Sequence, residues 1–267
     1  MDLRNKTNLP MMTCKKALES SDGDENGALE YIRKTGIQTR INREQNEMPH
    51  GQVSFNIEPI SPSASFGVAI LLGCQTDFVA NLQMFKDTAQ LLAQVAREQI
   101  DQSGHIITLE DFKKLPSVEI MLTDLVSVTK ENIQVLSLKT ISGNNIVGYN
   151  HGGKIATLVS GTDRSNKLKQ IALHVTSANP IPQFVNRENV DQTLLENEIR
   201  IINDLDDVKS KPEKIRPKIV EGRLGKFYKE VCLLDQEMLL DNEKGETVQG
   251  YCTRNNIQVD NFIRLSV

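Results

Sequence analysis

One arrangement occurs twice in this chain. "GVAILLGCQTDFVANLQMFKDTAQLLAQVA", from Gly67, runs from an apolar stretch through a polar loop into an Ala/Leu-rich segment of helical spacing. "GKIATLVSGTDRSNKLKQIALHVTSA", from Gly153, repeats the order. Val68 corresponds to Ile155, an offset of 87, and Ala89 to Ala172, an offset of 83, so the second loop is shorter. Only two copies are present, which predicts two related α/β subdomains packed together and argues against a solenoid. The second copy has Arg164 in the region where the first has Asp77 and Phe78. That pair is therefore a property of one loop, not a requirement of the fold.

The flanking segments complete the pattern. "QVSFNIEPI" alternates like a strand, and Leu109–Leu115 and "SVEIMLTDLV" read as helical. "IQVLSLKTIS" and "NIVGYNHGGKIATLVSG" read as strands of a hairpin or meander. Residues 1–36 read as a small helical module, with Asp24 capping a helix whose last turn carries Arg33 and Lys34 and which stops at Gly36. Two short helices bury little, so Asp2–Lys6 is expected to supply a third. Of the adjacent Met11 and Met12, one is expected to be exposed, because neighbours on a helix face different ways. Residues 37–52 read as a polar linker. Between residues 191 and 207 there are six acidic groups and one basic; between 209 and 229 there are eight basic and two acidic. Opposite charge on two amphipathic arms joined by a Pro-containing break predicts an antiparallel helical hairpin, with Pro217 kinking the return arm or marking its start. The tail reads as a short helix and a final strand, "VDNFIRLSV".

Composition removes several function classes. A net charge of −4 and an aromatic content of 4 % without Trp fit neither a nucleic-acid footprint nor a base-stacking platform. No apolar run reaches the roughly 20 residues a membrane helix needs. Cys14, Cys74, Cys232 and Cys252 lie far apart, with neither zinc nor disulfide spacing, as expected in a reducing cytoplasm. The N-terminus has no signal-peptide core. "GYNHGGKI" matches a phosphate loop except for its last position, where Ile155 replaces the hydroxyl residue. It continues as a strand, so a glycine-rich hairpin turn is the better reading. Cys74 near Asp77 lacks a nearby His and reads as a structural cysteine. For Asp77 the residues leave open a helix cap or a contact, and for Phe78 a core plug or a contact.

The chain resembles the elongation factor Ts family, guanine-nucleotide exchange factors of bacterial and organellar translation. The matching runs are "MMTCKKALESSDGD", "IRKTG", "CQTDFVA", "HGGKIATLV", "IALHV", "IVEGRLGKF" and "FIRLSV", in the family's order across nearly the whole chain. The resemblance implies an α+β fold with a UBA-like three-helix module at 1–36 and a linker at 37–52. A core N-subdomain at 53–139 follows, then a C-subdomain at 140–267 carrying the antiparallel helical hairpin, 191–229. It implies elongation factor Tu as partner, with Asp77 and Phe78, flanked by Thr76 and Val79, entering near its Mg²⁺ and nucleotide site. Arg4, Met11, Met12 and Lys15 would touch the partner's nucleotide domain, and His151 another domain. No catalytic residue, metal ligand or cofactor is implied, nor direct binding of nucleotide, nucleic acid or membrane. An adaptor that uses the UBA-like module without exchange activity is the alternative. Leu9 and Pro10 stand where the family usually has small residues, and Lys130 where it usually has glycine.

Overall fold

A computed structural model describes all residues except 1, 8, 44, 62–63, 101–106, 163–165, 241–242 and 244. Arg164 lies outside the described residues. The chain opens with three helices, α1 (Asp2–Thr7), α2 (Met11–Glu19) and α3 (Glu25–Arg43). They enclose a small core of Leu3, Leu9, Cys14, Ala17, Ala28 and Ile32. The turn before α3 uses Asp22 and Gly23 at positive φ, and Asp24 caps the helix by accepting from Gly27 N–H at 2.7 Å.

Gly36 does not stop α3, which continues to Arg43. The glycine serves packing instead. A Cβ there would lie 2.2 Å from Ser127 Oγ and 2.9 Å from Thr123 Cγ2, on a later helix that crosses α3 at this point. The expected linker is correspondingly shorter, since residues to Arg43 are helical and the first strand begins at His50.

The next unit contains β1 (His50–Ser61), β2 (Ala64–Cys74), α4 (Asp77–Asn81), α5 (Gln83–Glu98), α6 (Leu109–Lys113), α7 (Pro116–Thr129) and β3 (Ile133–Gly143). The three strands form an antiparallel sheet with β2 central. β2 alternates as a doubly covered strand must. Val68, Ile70, Leu72 and Cys74 pack under Phe85, Leu92, Leu122 and Leu125 of α5 and α7. Ala69 and Leu71 face the other way.

The last unit contains β4 (Asn145–His151), β5 (Ile155–Gly161), α8 (Asn166–Ser177), α9 (Gln192–Asp204), α10 (Asp206–Lys209), α11 (Arg216–Val231), α12 (Val248–Asn255) and β6 (Val259–Ser266). Its strands form a second antiparallel sheet with β5 central. The two sheets pack face to face through Val53, Ala69 and Ile141 on one side and Ala156, Leu158 and Leu265 on the other. Gly148 permits this approach, because a Cβ there would sit 2.5 Å from the Phe55 ring. Helices α5 and α7 cover the outer face of the first sheet, and α8 and α12 that of the second. The duplicated segment thus falls on the central strand of each sheet and the helix that follows it. β3 belongs to the first sheet, which ends at Gly143, so only β4 and β5 form the hairpin read in that region. Among the described residues, no helix is long and apolar enough to cross a membrane.

Between α8 and α12 the chain projects α9 and α11 as a helical hairpin. Asp191 caps α9, accepting from Thr193 N–H at 2.8 Å. Pro217 occupies the first turn of α11 and marks its start, where no helical N–H is required. Arg223 pairs with Asp207 across the arms, and Val190, Val231 and Cys232 seal the base.

Lys130 ends α7 in the left-handed conformation, φ 61°. Its side chain is partly buried and near Arg43, and burial, then that charge, holds its pKa below the ordinary lysine value. A Cβ in this backbone region costs about 1–2 kcal/mol, which glycine avoids. Lys130→Gly is expected to stabilise the fold by about 1 kcal/mol, raising the thermal midpoint by about 2–4 °C for a chain of this size. An unchanged or lower midpoint in a thermal melt would contradict that account of the position.

Candidate partner interface

The β2 strand ends at the buried Cys74, and two residues later the chain turns into α4. The cap of this short helix is Thr76, whose Oγ1 accepts from Val79 N–H at 3.3 Å. Asp77 is not the cap; it is the first helical residue and is exposed. Phe78 does not plug the core; it is 81 % exposed, the most exposed of the large apolar residues described. The next two residues, Val79 and Ala80, are buried in the first core. One helical turn therefore has an anchored side and a side carrying a carboxylate and a phenyl ring into solvent. Val79 supports the tip from beneath, and Thr76 shapes its entry.

A residue not singled out from the sequence holds this loop. The Glu131 carboxylate accepts from Gln75 N–H at 3.0 Å, Thr76 N–H at 3.0 Å and the Thr76 hydroxyl at 2.6 Å. The Thr76 hydroxyl both donates to Glu131 and accepts from Val79, so its one proton and one of its two lone pairs are used. Gln75 Oε1 accepts from Asn132 N–H at 2.7 Å, and Asn132 Nδ2 donates to the Asn46 carbonyl at 2.7 Å. The segment leaving α3 is thereby tied to the same loop. The β2–β3 register pairs Cys74 with Ile133 and puts residues 131–132 beside 75–76. Only that register exposes the role of Glu131.

Cys74 is no nucleophile. Its Sγ donates to the Thr76 carbonyl at 3.2 Å, and burial, reinforced by the nearby Glu131 charge, pushes the thiol up to about 12. The thiolate needed for attack is absent at neutral pH.

"GYNHGGKI" runs from strand β4 through a turn into strand β5, with Gly152 and Gly153 at positive φ. No helix N-terminus follows to face a phosphate, and Lys154 Nζ donates to the Gly51 carbonyl at 3.3 Å. His151 is exposed at this tip, its Nδ1 3.1 Å from the Tyr149 hydroxyl.

On the N-terminal helices, Arg4, Met11, Met12 and Lys15 are all exposed. Both methionines are free, at 57 % and 71 %, where the sequence suggested one, because Leu9, Cys14 and Ala17 supply the buried side. Leu9 is thus a core residue of the module. Met12 and Lys15 line a groove of about 610 Å³ between α2, α3 and α7, and Lys130, the neighbour of Glu131, lies at its border. Arg4 and Met11 lie outside that lining.

The family model described as Elongation factor TS matches residues 75–267. The chain is 33 % identical over 270 residues to Elongation factor Ts of Baumannia cicadellinicola subsp. Homalodisca coagulata, covering 99 % of this chain and 91 % of the relative. It is 34 % identical to that of Amoebophilus asiaticus (strain 5a2), covering 99 % and 96 %. It is 33 % identical to that of Shewanella amazonensis (strain ATCC BAA-1098 / SB2B), covering 100 % and 88 %. With a matched segment that begins at the Gln75 loop and relatives that align along nearly the entire chain, the chain belongs to the elongation factor Ts family.

Proposed function

We propose that this translation elongation factor is a guanine-nucleotide exchange factor acting on elongation factor Tu in the cytoplasm, without covalent chemistry. The observation that carries the reading is the Phe78 ring, 81 % exposed on a helical turn whose other side is buried. An exchange factor must bind nucleotide-free partner more tightly than GDP-bound partner, and by linkage it then weakens GDP binding by the same factor. A wedge does this if the cleft that accepts it is open only when the Mg²⁺ and phosphate contacts are loosened. Losing Mg²⁺ strips the phosphates of their main counter-charge. A phenyl ring suits the task because it brings large area with little rotamer entropy. Asp77 stands beside it, carrying a negative charge toward the same cleft. The UBA-like module, through Arg4, Met11, Met12 and Lys15, holds the nucleotide domain, and His151 touches a second domain.

The test is release of fluorescent GDP from elongation factor Tu in a stopped-flow instrument. Addition of this protein is expected to accelerate release with a saturating dependence on its concentration. The protein alone is expected to bind no labelled GDP. A complex that forms yet releases GDP at the intrinsic rate would refute exchange activity.

A further inference from the structure

The Phe78 tip and the His151 hairpin come from different sheets, yet both rest on the first residues of β1. Gln52 sits between them and is buried to 4 % exposure. Its Nε2 donates to the Ala80 carbonyl at 2.8 Å, two residues beyond Phe78. That carbonyl is one of the last in α4, where helical partners run out. On its other side the same amide lies against Gly153, two residues beyond His151. A Cβ at Gly153 would fall 1.5 Å from Gln52 Oε1. The neighbours of Gln52 close the joint: Val53 N–H donates to the Gly153 carbonyl at 2.7 Å, and Asn150 Nδ2 donates to the Val53 carbonyl at 2.8 Å. A buried glutamine amide is costly unless bonded, and an apolar side chain would pack there without bridging anything.

We infer that Gln52 is a positioning residue that locks the Phe78 tip and the His151 hairpin into one rigid two-point contact surface. The inference rests on the exchange role proposed above. With the joint intact, docking one tip presents the other at its own contact, as in a short rigid linkage. With the joint loosened, each tip retains its chemistry but not its spacing from the other. The spacing matters only while both tips are present, and this separates positioning from general stability.

The experiment measures GDP release from elongation factor Tu at sub-saturating factor, for Gln52→Leu in three backgrounds: wild type, Phe78→Ala and His151→Ala. In the wild-type background, Gln52→Leu is expected to slow release on the order of five- to tenfold, within the range of coupled sites. In either single-tip background it is expected to slow release by less than about twofold. Gly153→Ala, which strikes the joint from the hairpin side, is expected to repeat this pattern. Thermal melts confirm that each variant is folded at the assay temperature. An equal loss in all three backgrounds would reduce Gln52 to a stability residue and overturn the inference, as would no loss in wild type. If the wild-type protein itself leaves GDP release at the intrinsic rate, the exchange reading fails first, whatever Gln52 does.

Discussion

Glu131→Ala is expected to cost about 2–4 kcal/mol of stability and to slow GDP release by at least about tenfold, since hydrogen bonds to a charged group contribute about 1.5–3 kcal/mol each and do not add fully. Three donors converge on that carboxylate, and two of them are backbone N–H groups in a part-buried loop. Alanine leaves those donors unpaired and frees the entry to α4, so the tip that carries Phe78 loses its fixed direction. Glu131→Gln keeps one acceptor oxygen and should fall between alanine and wild type. Urea unfolding measures the stability and stopped-flow GDP release measures the function. Normal exchange by a folded Glu131→Ala protein would show that the orientation of the tip does not matter.

Gly36→Val is the second large effect. Helix propensity alone favours almost any residue over glycine, by up to about 1 kcal/mol. Packing opposes it, because the added Cβ would lie 2.2 Å from Ser127 Oγ and 2.9 Å from Thr123 Cγ2. Overpacking typically costs about 1–3 kcal/mol, and a branched side chain at a helix crossing belongs at the upper end. The net expectation is a loss of about 2 kcal/mol, together with weaker docking of the N-terminal helices on α7. The sign decides between the two roles of this glycine. A more stable Gly36→Val protein would mean that the α3–α7 crossing is looser than described, and limited proteolysis near residue 44 would report the detachment directly.

What could be read in the sequence was local and periodic. The strand–loop–helix duplication was legible because the apolar runs of β2 and β5 and the 3.6-residue spacing on α5 and α8 are carried by the side chains themselves. The hairpin was legible from the charge asymmetry of its arms. Gly36 was misread because a glycine that ends a helix and one that admits a neighbouring helix look alike until the neighbour is placed. The linker was read too long for a related reason, since polar residues at a helix end do not announce where hydrogen bonding stops. At the site, Asp77 and Phe78 stood out as an odd pair, but only the fold separates a cap or a plug from an outward-facing tip. Thr76 does the capping, which frees Asp77. Glu131 and Gln52 were invisible because their partners lie 55 and 28 residues away, at pairings set by sheet register and not by any motif.

The central claim is that the exposed phenyl ring drives nucleotide release, and one comparison tests it most directly. GDP release from elongation factor Tu is measured with wild type and with Phe78→Ala at equal, saturating concentrations. Unfolding curves alongside are expected to show the stability nearly unchanged, because the side chain is 81 % exposed in the free protein. Burial of a phenylalanine side chain is worth about 1.5–3 kcal/mol, so the variant should release GDP about 10- to 100-fold more slowly while still forming the complex. Wild-type rates from a folded Phe78→Ala protein would contradict the wedge and move the source of exchange elsewhere on this surface.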